Sequence, residues 1–97
     1  MRSPLKSLAT LSTMLALGLL STTAALASPD CTKEPQSKWL SEAAMKERVA
    51  KLGYKVNVFK ISGNCYEIYG WTKDGAKAEV YFNPVTGEVV KSYVDEK

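Results

Sequence analysis

The sequence predicts an α+β domain in which one N-terminal helix packs on a four-stranded antiparallel β-meander. Three observations carry that prediction. Met45, Val49 and Leu52 recur at helical spacing between a capping serine, Ser41, and a stop signal, Gly53. Beyond Gly53 the chain is rich in β-branched and aromatic residues, and Ser62-Gly63-Asn64, Lys73-Asp74-Gly75 and Asn83-Pro84-Val85-Thr86-Gly87 cut it at regular intervals. Turns this short join antiparallel neighbours, because a parallel pair needs a crossover of a dozen or more residues.

Residues 1–27 read as a bacterial secretory signal peptide. Arg2 and Lys6 form a basic start, an apolar run from Leu8 to Leu20 follows, and Ala25-Leu26-Ala27 offers small residues where a signal peptidase reads. The run is shorter than the roughly 20 apolar residues of a membrane-spanning helix. Cleavage is expected before Ser28, with cleavage after Ala25 as the alternative, leaving no integral membrane segment. Lipidation of Cys31 is not expected, because Ser28-Pro29-Asp30 precedes it instead of the required small residues. The expected location is the periplasm or the extracellular medium.

The remaining 70 residues make one small domain with eleven basic and ten acidic side chains, a net charge of +1. Opposite signs alternate through Glu42, Lys46, Glu47, Arg48 and Lys51, and no basic block tracks a phosphate backbone, so nucleic acid is not an expected partner. A core this small commonly needs a covalent staple. Cys31 and Cys65 are the two cysteines, and an even pair in a small exported domain reads as a disulfide. A redox or metal-binding pair is the alternative. It lacks a C-x-x-C spacing, and the chain has no histidine. No metal or cofactor is therefore expected.

Residues 28–38 are polar and contain Pro29 and Pro35, so they read as an extended lead-in. The helix starts after Ser41, with Glu42 in its first turn and Glu42–Lys46 and Glu47–Lys51 as favourable pairs one turn apart. Strands follow at Tyr54–Ile61, Cys65–Thr72, Ala76–Phe82 and Glu88–Val94, and residues 95–97 form a charged tail. A three-residue loop at Lys73-Asp74-Gly75 sets Tyr66 opposite Phe82, Ile68 opposite Val80 and Gly70 opposite Ala78, making an apolar core face for the helix. A two-residue loop would set apolar residues against charges. In the first strand Val56 and Val58 suit one face while Phe59 and Ile61 suit the other, which implies a bulge or a sheet apolar on both sides.

The same parity puts Cys65, Glu67, Tyr69, Trp71, Lys77, Glu79 and Tyr81 on the outer face. Tyr69, Trp71 and Tyr81 are residue types that anchor protein interfaces, and with Glu67 and Glu79 they are the candidate partner-binding residues. A competing reading has the Cys31 lead-in, with Trp39, drawn across this face and covering the rings. Catalytic residues are not expected: there is no histidine, no nucleophile elbow and no phosphate-cradling loop. Glu67 and Glu79 read as ordinary strand charges sooner than as a glycosidase carboxylate pair.

Gly53-Tyr54-x-Val56, Cys65-Tyr66-Glu67-Ile68-Tyr69 and Glu79-Val80-Tyr81-Phe82-Asn83-Pro84-x-Thr86-Gly87-x-Val89, in this order and spacing, resemble small exported PepSY-domain proteins. The resemblance runs from about Trp39 to Val90 and makes residues 39–94 a PepSY-like domain. Such domains occur in propeptides of secreted metallopeptidases and in other envelope proteins. The resemblance implies a binding module that restrains an envelope peptidase in trans, with no catalytic residues to carry over. Asn83 departs from the family's usual aspartate, so a charge there is not carried over, whereas the turn is. The alternative function is a structural or accessory envelope protein that assembles with itself or with a complex, and the sequence leaves self-association open.

Overall fold

The computed structural model describes residues 27–95. The predicted signal peptide, apart from Ala27, and the last two residues of the charged tail lie outside the described residues. A short 3₁₀ turn at Gln36–Lys38 interrupts the lead-in, which the sequence reading had as wholly extended. Helix α1 spans Glu42–Lys51, and strands β1 (Lys55–Ser62), β2 (Cys65–Trp71), β3 (Lys77–Phe82) and β4 (Val89–Val94) form one antiparallel sheet in the order β1-β2-β3-β4.

Local signals fix the ends of α1. The Ser41 hydroxyl accepts a hydrogen bond from the Ala44 amide at 3.1 Å, satisfying one of the orphan donors of the first turn. At the other end Gly53 takes φ +99°, where a side chain would be strained, and the Gly53 and Tyr54 amides turn back to the Ala50 and Val49 carbonyls. This is a Schellman cap.

Met45 and Val49 are fully buried against Tyr66, Ile68, Ala78, Val80 and Phe82, so the helix docks on the two central strands. The predicted stripe is shorter than expected. Leu52 remains 48% exposed because it caps the helix end, where the chain reverses at Gly53. Tyr54, just past the reversal, returns to the core and packs edge-on against Phe82. Trp39 also departs from expectation: it lies on the helix side of the sheet, 5.3 Å from the Tyr66 ring, and does not cover the outer face. The Tyr66 hydroxyl donates to the Leu40 carbonyl at 2.7 Å, so the entry to the helix is held by a central strand.

Register follows the parity argument, with Tyr66, Ile68 and Gly70 opposite Phe82, Val80 and Ala78. In β1 a bulge at Asn57, between Val56 and Val58, resolves the alternation conflict: Val56, Phe59 and Ile61 share the core face and Val58 joins the outer one. Gly70 is required beside this bulge, since a Cβ there would run into the Lys55 carbonyl oxygen. A second register shift falls between Tyr81 and Phe82, where β4 carries Val90 as the extra residue.

The β3–β4 loop is a hydrogen-bonded turn. The Asn83 side-chain oxygen accepts from the Val85 and Thr86 amides at 2.8 and 3.3 Å, which an aspartate oxygen would do equally well. The Pro84 carbonyl accepts from the Leu40 amide, and the Arg48 guanidinium donates to the Gly87 carbonyl at 2.7 Å. Both contacts tie the loop to the helical layer.

Candidate functional site

The outer face of the sheet divides into a covered end and an open end. At the covered end Cys31 and Cys65 form a disulfide with an S–S distance of 2.02 Å, and with Tyr81 they make a second buried cluster against which Tyr93 packs. The lead-in is held there by side chains of the β1–β2 turn. The Cys31 amide donates to the Asn64 side-chain oxygen at 2.7 Å, the Asn64 amide group donates to Asp30 at 2.9 Å, and the Ser28 and Ser62 hydroxyls meet. Hydrogen bonds from Lys33 and then Asn64 hold the Asp30 carboxyl below the usual carboxylate range. A disulfide of this kind fits an oxidising compartment.

Tyr81 is 2% exposed and Glu67 1% exposed. Neither is open to a partner, which corrects the expectation that all five candidate residues share one accessible patch. For Tyr81 the physical reason is the staple, which brings Cys31 over the Cys65 end of the face into one buried cluster with the ring. Tyr69, by contrast, is 38% exposed, and Trp71 and Glu79 are partly exposed. Together with Asn57, Lys60 and Lys77 they line an open groove of about 640 Å³. The competing readings of covered face and open face therefore each hold over half of it.

Between the two ends lies a polar cluster. Glu67 pairs with Tyr81 and Tyr69 with Glu79 across β2 and β3, so the two carboxyls are diagonal neighbours on one face. The Tyr81 hydroxyl donates to Glu79 Oε2 at 2.9 Å. Lys60 Nζ stands 3.8 Å from Glu67 Oε1 and lies over the Tyr69 ring at 5.2 Å. Glu67 Oε2 is buried with no hydrogen-bond partner. Burial and the neighbouring Glu79 carboxyl push the Glu67 carboxyl above the ordinary carboxylate range, while the neighbouring Glu67 carboxyl and the Tyr81 hydroxyl hold Glu79 below it. Burial and the nearby carboxyls push the Tyr69 hydroxyl up to about 12 and raise Tyr81 as well.

Asn57, Lys60 and Tyr93 line the groove although the sequence reading did not single them out. Counting from the turns finds Lys60 only if Ser62 pairs with Cys65, a two-residue turn where the sequence suggests three, and the bulge at Val90 breaks the count to Tyr93. Among the described residues no group of three or more His, Cys, Asp or Glu side chains is placed to hold a metal ion, and no helix is long and apolar enough to cross a membrane.

A family model described as "peptidase propeptide and YPEB domain" matches residues 10–93. No curated protein and no solved structure matches the chain. Modules of this family act as propeptides or inhibitor-like domains and not as catalytic ones. The match spans the helix, most of the meander and the motifs that frame the outer face, and on that ground the chain belongs to the PepSY family of peptidase propeptide and YPEB domains.

Proposed function

We propose that the chain is an exported binding module that engages an envelope peptidase in trans through the open half of its outer face. The observation that carries this reading is the groove at Tyr69 and Trp71, where large rings stay accessible beside Lys60, Lys77 and Glu79 while the neighbouring Tyr81 on the same face is buried. Family membership supplies the class of partner, and residues 1–27 supply the export signal. In this reading the domain acts by occupying a surface, which fits a chain without a histidine to serve as general base. The test is a pull-down from an envelope extract with disulfide-intact protein beginning at Ser28, read by mass spectrometry and paired with a proteolysis assay. Capture of a peptidase with reduced proteolysis is expected, and Trp71→Ala should weaken both. Absence of binding and of inhibition by the wild-type protein would refute the proposal.

A second reading, self-assembly into a structural or accessory complex, draws support from β4. This edge strand leaves one side of its backbone unpaired and exposes Val89, Val90 and Val94. Light scattering across a concentration series separates the two readings. A strictly monomeric protein at high concentration removes self-assembly.

A further inference from the structure

Glu67 is an anomaly for an outer-face strand residue. Four consecutive residues of β2, from Cys65 to Ile68, are buried, and the carboxyl among them has one unpartnered oxygen. Leaving a charged carboxylate in that state is costly, and a protonated carboxyl donating to a neighbouring carboxylate removes the cost. Glu79 is that neighbour. Its Oε2 already accepts from the Tyr81 hydroxyl, which stabilises its charge.

We propose that Glu67 and Glu79 share a single proton and that this acid–carboxylate pair is a pH-sensitive clasp between the stapled and the open half of the outer face. The groups facing the pair from each packed element fit this assignment. From β1 comes Lys60, 3.8 Å from Glu67 and half-exposed; from β2 comes Tyr69. From β3 comes Tyr81, and from β4 come Lys91 opposite Tyr81 and Tyr93 opposite Glu79. The charged groups of the lead-in, Asp30 and Lys33, pair with each other, and Asp30 also accepts from the Asn64 side chain. Among the described residues Lys60 is the one cation that reaches Glu67 directly, so loss of the shared proton leaves two carboxylates against one half-solvated ammonium. Glu67 must then move toward water, and the seam between the stapled end of the face and the open surface at Tyr69 and Trp71 loosens, while the disulfide keeps Tyr81 in its cluster. The clasp operates whether or not that surface meets a peptidase.

The direction with pH follows from linkage. Above the ordinary glutamate value of 4.5, the folded chain keeps a proton on Glu67 that the unfolded chain has lost, so stability falls as pH rises through the folded Glu67 value. Below it, the folded chain resists protonating Glu79, so stability is lost as pH falls through the folded Glu79 value. The pair contributes most near the ordinary carboxylate value.

The experiment is an NMR titration of the glutamate side-chain carbonyl carbons in the disulfide-intact protein, with amide exchange at Glu67 and Tyr81 measured over the same pH range and corrected for its intrinsic pH dependence. Glu67 and Glu79 are expected to titrate on opposite sides of the other glutamates, with each resonance sensing both steps. Exchange at Glu67 and Tyr81 should quicken as the upper step is crossed. Glu67→Gln, which keeps a neutral donor, should abolish that quickening, and Glu79→Gln should lower the Glu67 midpoint. The clasp is overturned if Glu67 titrates with the exposed glutamates, if exchange does not follow its titration, or if Glu79→Gln leaves its midpoint unchanged.

Discussion

Replacing both cysteines by alanine tests how much the lead-in contributes to the fold. Alanine is the right replacement, because serine would leave hydroxyls in the buried cluster of Cys31, Cys65 and Tyr81 and add a desolvation cost of its own. The disulfide joins residues 34 positions apart. In the chain-entropy model, freeing a loop of that length relaxes the unfolded state by roughly 4 kcal/mol. A domain of this size holds about 3.5–10 kcal/mol in total, taking roughly 0.05–0.15 kcal/mol per residue. The variant should therefore lose a large fraction of its stability, although the Asn64 contacts to Cys31 and Asp30 remain to guide the lead-in. Urea unfolding followed by tryptophan fluorescence measures this. The slope with denaturant should also rise, since an unfolded chain without the cross-link exposes more surface. A loss below about 1 kcal/mol with an unchanged slope would refute the loop-closure reasoning.

Other perturbations separate buried from exposed parts of the same motifs. Met45→Ala empties a fully buried site and should cost about 2–5 kcal/mol, whereas Leu52→Ala, on the same sequence stripe, should cost well under about 1.5 kcal/mol; thermal unfolding of the two variants distinguishes them. Gly70→Ala forces a Cβ onto the Lys55 carbonyl and should disrupt the β1–β2 pairing, seen as lost amide protection around Val56 and Gly70. Ser41→Ala removes the helix cap and should destabilise by about 1 kcal/mol in urea. Tyr66→Phe removes the bond to the Leu40 carbonyl and should cost about 0.5–1.5 kcal/mol, or more if the carbonyl is left without water.

The candidate surface was legible only in part. Parity placed Tyr69, Trp71, Tyr81, Glu67 and Glu79 on one face because the tight β2–β3 loop with Gly75 at φ +89° fixes the register. Parity says nothing about what lies above that face. Coverage depends on a contact 34 residues away in sequence, through Cys31 and Asn64, and that contact buries Tyr81 while leaving Tyr69 open. Tyr93 was missed for a related reason: the Val90 bulge adds one residue to β4 and reverses the face of everything beyond it, whereas the place of Lys60 depends on Ser62 pairing with Cys65 across a turn of two residues where the sequence suggests three.

The sequence by itself determined the α+β class, the order of elements, the cap at Ser41, the stop at Gly53, the β2–β3 register and the resemblance to PepSY domains. These rest on interactions between residues near in sequence, or on the period-two alternation that a short turn transmits from one strand to the next. Only the tertiary structure decided that Leu52 and Trp39 leave their expected places, that Tyr54 closes the core, and that the outer face is half covered. It also decided that Glu67, an ordinary strand charge in the sequence, becomes a buried carboxyl beside Glu79. Burial is a property of how layers and the stapled lead-in come together, and no local pattern encodes it.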